Sequence, residues 1–133
     1  MINPADFEDI KIIGLDVEAT QPSGRGGALR EMHLQLSDTP PAPWSEIFRN
    51  ERQFPRHSMW REAWISGDHI IVDCVPEELK GDHLPYLKQD VANSNQKYRD
   101  FLAKVAQQEQ RQRDARQIED QRLKGIRDDL DFS

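Results

Sequence analysis

The sequence is poor in cysteine and has no long apolar run, and each absence excludes a class of protein. Its single cysteine, Cys74, cannot form a disulfide within the chain. One free thiol is typical of a reducing compartment, so we expect a cytoplasmic location. No run of about 18 apolar residues is present to cross a membrane, and the first residues lack the basic and apolar regions of a secretory signal peptide.

Basic residues are also scarce in the first two thirds of the chain. Residues 1–83 carry 8 lysines and arginines against 15 aspartates and glutamates, and the whole chain has a formal net charge of −6. Because binding to a phosphate backbone needs clustered lysine and arginine, direct nucleic-acid binding is not expected. An acidic surface can imitate nucleic acid, which leaves an acidic inhibitor of a nucleic-acid-binding complex as an alternative. Solubility is the simpler explanation of this charge.

Motifs of catalysis, cofactor binding and metal binding are missing. The glycine-rich loop of residues 21–27 has neither GxxxxGK[ST] nor GxGxxG spacing, so we interpret it as a hairpin tip, with Arg25 available for a single anion contact. The histidines lack the spacing of metal ligands, and Cys74 lies among apolar residues, where a thiol is buried and inert. We predict no catalytic, cofactor-binding or metal-ligating residue and no cofactor. The histidines are His33, His57, His69 and His83.

What the sequence does contain is a long helical pattern in its last third. Apolar residues recur there mostly at steps of three, four or seven, which is the spacing of one helix face. Asp82 is placed to cap the start of this helix, and Gly125 is its natural end. The pattern predicts a helix over residues 84–124 that projects beyond a small domain. Its apolar positions are Leu84, Leu87, Val91, Tyr98, Phe101, Leu102, Val105 and Ala106.

The second half of the predicted helix is almost entirely polar. Residues 107–113 have no apolar side chain, although glutamine, glutamate, arginine and lysine keep the helical propensity high. We therefore predict a compact domain over residues 1–106 and a polar, charged helical extension over residues 107–133. Sparse apolar residues in the extension are candidate partner-binding positions, and the alternative is a solvated helix that contacts nothing. The candidates are Ala115, Ile118, Leu123 and Ile126.

The first part of the chain has two pairs of strand patterns separated by a short helix. Alternation of apolar and polar residues predicts strands over 10–20, 29–37, 60–65 and 69–75. A helix pattern over 44–50 follows three prolines. We predict an α+β fold, a four-stranded antiparallel sheet in the order β-β-α-β-β-α with helices on one face and a long projecting C-terminal helix.

The alternation also predicts which side chains face the core. On the first strand, Ile13, Leu15 and Val17 are expected to point inward. Trp60 and Trp64 are expected to share one face of the third strand and to lie in the core, because each has a large apolar area to bury.

These patterns favour binding over catalysis. We expect a non-catalytic interaction or adaptor module that acts through its long C-terminal helix and acidic surface, with another protein or its own copy, in a coiled coil, as the partner. The alternative is a small-ligand sensor or an enzyme that uses polar side chains of the open sheet face. Those side chains are Asp16, Glu18, His33 and Gln35.

Overall fold

A computed structural model describes residues 3–133 and gives four strands and two α-helices. A 3-10 turn at Pro4–Asp6 precedes the first strand. Two further turns precede the last helix: a 3-10 turn at Pro76–Glu78 and a π-helical turn at Leu79–His83. The predicted order β-β-α-β-β-α is confirmed. The elements are β1 (Ile12–Pro22), β2 (Arg30–Leu36), α1 (Ala42–Glu51), β3 (Ala63–Ser66), β4 (His69–Cys74) and α2 (Leu84–Asp129).

The four strands form one antiparallel sheet in the spatial order β1-β2-β4-β3. The two hairpins pair with each other within one chain, because β2 runs alongside β4 with Leu34 opposite Ile70. The turn between β3 and β4 contains Gly67 at a φ of 58°, the left-handed conformation that a tight hairpin needs. The fourth strand is central, as its apolar residues on both faces predict.

The core lies between the inner face of the sheet and the two helices. Met32, Leu34 and Leu36 of β2 are buried, and the inner face of β4 is buried beside them. Apolar side chains of both helices cover this face, which confirms the expectation of helices on one side of the sheet. The helix residues are Trp44 and Phe48 of α1 and Leu87 and Val91 of α2.

The prediction that Ile13, Leu15 and Val17 point into the core is wrong. Their exposed fractions are 63%, 43% and 72%. Leu15 does lie on the inner face, opposite Leu34, but β1 is an edge strand that the buried core does not reach. Register shifts interrupt its pairing on both sides of this segment, between Ile12 and Gly14 and again after Asp16. Ile12 rather than Ile13 lies opposite the buried Leu36, so alternation predicted neither the register nor the coverage of this strand.

The third strand is shorter than predicted and excludes Trp60. It covers Ala63–Ser66, so Trp60 and Trp64 do not share a strand face. Trp60 is only partly buried and 37% of Trp64 is exposed, which makes the prediction of two core tryptophans wrong. Trp44, by contrast, is fully buried.

Helix α2 begins at Leu84, as predicted, and is longer than predicted at its C-terminal end. Asp82 lies inside the π-helical turn, so it does not cap the helix from outside. Gly125 does not end the helix either, because α2 continues to Asp129. A glycine inside a helix costs only about 1 kcal/mol relative to alanine, which the good helix formers around it can offset.

The chain divides into two compact units, and α2 is continuous through both. One unit is Glu8–Tyr98, which holds the sheet, and the other is residues 3–7 with Arg99–Ser133. In the second unit Phe7 and Leu102 are buried. The predicted boundary after residue 106 stays a prediction. The two units are defined by contacts within each, and these contacts do not test which part of the chain folds alone.

Two polar side chains of α2 are buried in the Glu8–Tyr98 unit and connect its parts. Asn95 accepts hydrogen bonds from the Ile10 amide at 3.0 Å and the Trp44 indole at 2.9 Å, and it donates to the Ile10 carbonyl at 2.9 Å. The carboxylate of Asp90, fully buried, accepts from the guanidinium of Arg52 at 2.9 Å and from that of Arg56. Together they join α2 to the segment before β1, to α1 and to the connection that follows α1.

Replacing Asp90 by asparagine should destabilise this unit strongly. The change leaves the guanidinium of Arg52, whose side chain is 5% exposed, without its counter-charge. Breaking a buried ion pair in this way costs about 3–5 kcal/mol. Urea unfolding followed by circular dichroism measures the loss.

The matched control is Glu46→Gln, which breaks an ion pair with Arg49 in which both side chains are mostly exposed. Such pairs contribute about 0–1 kcal/mol. A loss for Asp90→Asn no larger than that of the control would show that the buried carboxylate is not needed for folding.

Candidate functional site

The distal segment, residues 107–133, comprises the end of α2 and the four residues that follow it, and it is exposed along its whole length. The predicted partner-binding residues lie on it, with exposed fractions of 67% for Ile118, 49% for Leu123 and 45% for Ile126, while Ala115 is also exposed. None of the four packs into a core within the described chain. The structure therefore leaves these side chains accessible to another molecule.

Helix geometry brings three of the four candidates to one side. Ala115 and Ile126 are eleven residues apart, about three turns, so they lie on one line, and Leu123 is three residues before Ile126. Leu130, the first residue after the helix, is 54% exposed and follows Ile126 by four residues. Ile118 is five residues before Leu123 and is turned to the flank. We call Ala115, Leu123, Ile126 and Leu130 the distal apolar line.

Burial of the apolar residues of α2 decreases along the sequence. Leu87 is fully buried, Val105 is half-buried and Leu123 is exposed.

Side-chain pairs within the distal segment hold its helical form. Glu119 accepts two hydrogen bonds from the guanidinium of Arg122, at 2.7 and 3.0 Å, and Gln110 donates to Asp114 at 2.9 Å. The bonds from Arg122 lower the pKa of the Glu119 carboxyl. Pairs of side chains three or four residues apart favour the helical form.

A second candidate surface is the polar cluster on the outer face of the sheet. Asp16 lies opposite His33, as the hairpin predicts, and β4 adds His69. The two histidine rings approach to 3.3 Å between Nδ1 atoms, and Nε2 of His69 is 2.9 Å from Gln35 and 3.4 Å from Asp16. Glu18 falls in the irregular part of β1 and is exposed. We call Asp16, His33, Gln35 and His69 the polar cluster.

The glycine-rich loop is fastened to the sheet. The Ser23 hydroxyl, buried, donates to the Asp73 carboxylate at 2.9 Å, and Arg25 forms an ion pair with Glu62 at 2.5 Å. Gly26 and Gly27 have φ values of 78° and 67°, which a residue with a side chain rarely adopts. The predicted free anion contact through Arg25 is therefore already occupied by carboxylates of the same chain.

Sequence reasoning missed a cluster of arginine and aromatic side chains in the Glu8–Tyr98 unit. The Arg52 guanidinium carbon lies 3.8 Å from the centre of the Trp60 ring, and that of Arg56 lies 4.8 Å from it. Burial lowers the pKa of Arg52, and its bond to Asp90 opposes this effect. The available signal was the position of Asp90 between Leu87 and Val91, on the apolar side of α2.

Burial affects the pKa of three further groups. The His83 imidazole is 1% exposed, and burial lowers its pKa despite the Glu78 carboxylate 3.4 Å away. Burial opposes ionisation of Glu78, but bonds from Arg61 and His83 outweigh it and lower the pKa. Cys74 is fully buried, as predicted, and burial raises the pKa of its thiol to about 11, so it is a poor nucleophile at neutral pH.

Two kinds of site are not found in the part of the chain that the structure describes. No three histidine, cysteine, aspartate or glutamate side chains are grouped so as to hold a metal ion among residues 3–133. Across the same residues, each helix falls short of the combined length and apolarity of a membrane span. The polar cluster must therefore be judged by its hydrogen bonding alone.

The lowered pKa values of His83 and Glu78 predict loss of stability in acid. The unfolded chain takes up a proton on each group more readily than the folded chain does. The contribution of His83 is full above its ordinary pKa of 6.5 and is lost as the pH falls below it. Glu78 adds a second loss below its ordinary value of 4.5.

Urea unfolding at about pH 7.5 and about pH 5.5, roughly one unit above and below the ordinary pKa of histidine, measures the first loss. The decrease in unfolding free energy should be smaller for His83→Gln than for the unchanged protein. His33→Gln, on the sheet surface, is the control. An equal decrease in His83→Gln and the unchanged protein would rule out His83 as its source.

The function of this chain has to be argued from its own residues. No protein-family model, curated protein or solved structure matches it. The surfaces available for that argument are the distal apolar line, the polar cluster of the sheet and the arginine-aromatic cluster.

Proposed function

We propose that this chain is a non-catalytic protein-interaction module that docks the distal segment of α2 into a groove on another protein. The observation that carries the proposal is that every side chain of residues 107–133 is exposed, although α2 continues through this segment to Asp129. Most helices in proteins owe their stability to packing of an apolar face, and isolated helices are marginal in water. A partner that covers the distal apolar line would supply that packing.

The spacing of the distal apolar line favours docking into a groove. Leu123, Ile126 and Leu130 follow the pattern i, i+3, i+7, which is how an amphipathic helix presents anchors to an apolar groove. A coiled coil with a second copy needs apolar positions sustained over about three to four heptads. Residues 107–113 have no apolar side chain, so the pattern is too short for a stable pair of copies.

The acidic charge of residues 1–83 would act together with the helix. A surface with an excess of carboxylates attracts a basic partner over a distance and raises the association rate. At about 0.15 M salt such attraction is screened beyond about 8 Å. In this interaction the distal apolar line would supply the affinity, and the acidic charge would raise the association rate. A cytoplasmic location is part of the same proposal.

Replacing Leu123 and Ile126 by lysine should abolish partner binding. Each anchor contributes about 1.5–3 kcal/mol when buried, so the double variant should lose at least about a hundredfold in affinity. The variant and the unchanged protein serve as bait in an extract of the native cell. The partner retained by the unchanged protein is then purified, and both affinities are measured by calorimetry.

The matched control is Gln117→Lys with Gln121→Lys, which adds the same charge to the opposite side of the helix. It should bind as the unchanged protein does. Light scattering over a range of concentrations gives the mass of each protein. Equal binding by both double variants would overturn the proposal. If the unchanged protein is a dimer that only the Leu123→Lys with Ile126→Lys variant fails to form, the partner is a second copy of the chain.

The polar cluster supports a second candidate function, a sensor of a small polar ligand. The specific observation is that the structure brings His33, Gln35 and His69 within hydrogen-bond reach of one another. Neutral imidazole and amide groups can each donate and accept, so such a cluster can bind a polar molecule.

A metabolite screen by thermal shift tests the sensor function. One compound should raise the melting temperature of the intact chain by several degrees, as ligand at about 100 times its Kd would. His33→Ala should remove this shift, while His57→Ala, outside the cluster, should keep it. A screen without any stabilising compound would remove this candidate.

A further inference from the structure

A groove of about 610 Å³ lies beside the end of α1 and the start of β3, within the Glu8–Tyr98 unit. This volume is in the range of pockets that bind small molecules, roughly 300–1,000 Å³. Three arginines and two tryptophans stand out among its lining residues. They are Arg49, Arg52, Arg61, Trp60 and Trp64. We call this space the arginine groove.

The guanidinium groups of the arginine groove are fixed in place before any ligand arrives. Arg52 donates to Asp90 at 2.9 Å and to the Arg61 carbonyl at 2.9 Å, and it stacks on Trp60. Arg61 donates to Glu78 at 3.3 Å. Because these side chains are already ordered, binding to them costs little further conformational entropy.

Two donors of the arginine groove lack an acceptor. The Nε atoms of Arg52 and Arg61 are buried, and neither has a hydrogen-bond partner among the residues that the structure describes. A buried donor without an acceptor costs about 1–3 kcal/mol, and more when it belongs to a charged group. An oxygen of a ligand that entered the groove could recover part of this cost.

The local charge is positive although the chain is acidic. Residues 49–62 hold four of the eight basic residues of the first 83 against two acidic residues, Glu51 and Glu62, and Glu62 also lines the groove. Asp90 is shared by Arg52 and Arg56, so one carboxylate faces two guanidinium groups. Arg49 is paired only with Glu46, and both side chains are mostly exposed, so that pair is weak. The groove is thus suited to an anion.

The tryptophans add a flat apolar surface. Trp64 is 37% exposed at the edge strand β3, and Trp60 lies in the same lining. An exposed indole face stacks well on a planar ring. A carboxylate or a phosphate can accept two parallel bonds from one guanidinium.

We propose that the arginine groove binds a small organic anion that carries a flat ring. Its anionic group meets Arg49 and the unpaired donors of Arg52 and Arg61, and its ring stacks on Trp64. The anionic group is a carboxylate or a phosphate, two forms of one recognition chemistry. This site is independent of the distal apolar line.

Titration of the intact chain with defined probes tests the groove. Naphthalene-2-carboxylate and adenosine 5′-monophosphate represent the two anionic groups, naphthalene-2-carboxamide and adenosine are their neutral counterparts, and inorganic phosphate lacks the ring. At least one ring-bearing anion should bind at least about tenfold more tightly than its neutral counterpart and than inorganic phosphate. The anion that binds shows whether the groove recognises a carboxylate or a phosphate.

Variants locate the binding. Arg49→Gln and Trp64→Ala alter exposed side chains and should each weaken binding about tenfold or more. Arg61→Gln should do the same, with its melting temperature recorded because Arg61 also bonds to Glu78. Arg111→Gln, on the exposed distal segment, is the control and should bind unchanged.

Three results would overturn the proposal. The first is equal affinity for the anions and their neutral counterparts, and the second is unchanged binding in both Arg49→Gln and Trp64→Ala. The third is binding of an acidic peptide that contains tryptophan when neither small anion binds, since the groove would then be a protein-docking surface. The double variant Leu123→Lys with Ile126→Lys should bind the anion as the unchanged protein does, which separates this test from that of the distal apolar line.

Discussion

The buried carboxylate of Asp90 is the interaction on which the arrangement of the sheet-containing unit depends. It holds Arg52 and Arg56, which arrive from the connection after α1, and through Arg52 it positions the ring of Trp60. One turn further along α2, Asn95 bonds to the segment before β1 and to Trp44. A purely apolar helix face could slide or rotate on the sheet, whereas these polar contacts are satisfied in one register only. The arginine groove exists because the same carboxylate fixes one of its walls.

The alternation of apolar and polar residues predicted the strands correctly where their side chains are fully buried, and it failed to predict burial where a strand is only partly covered. The strands β2 and β4 and the turn at Gly67 were predictable, because a central strand covered by helices has to alternate or be apolar throughout. For β1 the alternation was equally clear, yet Leu15 stays 43% exposed at the edge of the sheet. Periodicity shows which side chains share a face, while coverage depends on where distant helices lie. The helix end at Gly125 failed for another reason, since one unfavourable residue does not stop a helix of strong formers.

The candidate site was harder to predict than the fold. The distal apolar line could be found because its residues interrupt a polar segment, and helix geometry then separated Ile118 from the other three. The arginine groove could not be found, because Arg52 and Asp90 are 38 residues apart and their pairing is a tertiary event. Polar residues at helix positions that otherwise carry core side chains were the one local sign of it. A charged residue on the apolar side of a helix is almost never buried alone, so it implies a partner elsewhere in the chain.

The exposed apolar residues of β1 affect how readily the protein aggregates at high concentration. An edge strand with free backbone groups and apolar side chains is a template on which another chain can add a strand. Here the two breaks in register, before Gly14 and after Asp16, keep the edge from offering a straight run of hydrogen-bonding groups. Asp16 and Glu18 would also have to give up water before a new strand could settle between them. The irregularity of β1 thus acts as its protection against aggregation, and straightening it would remove that protection.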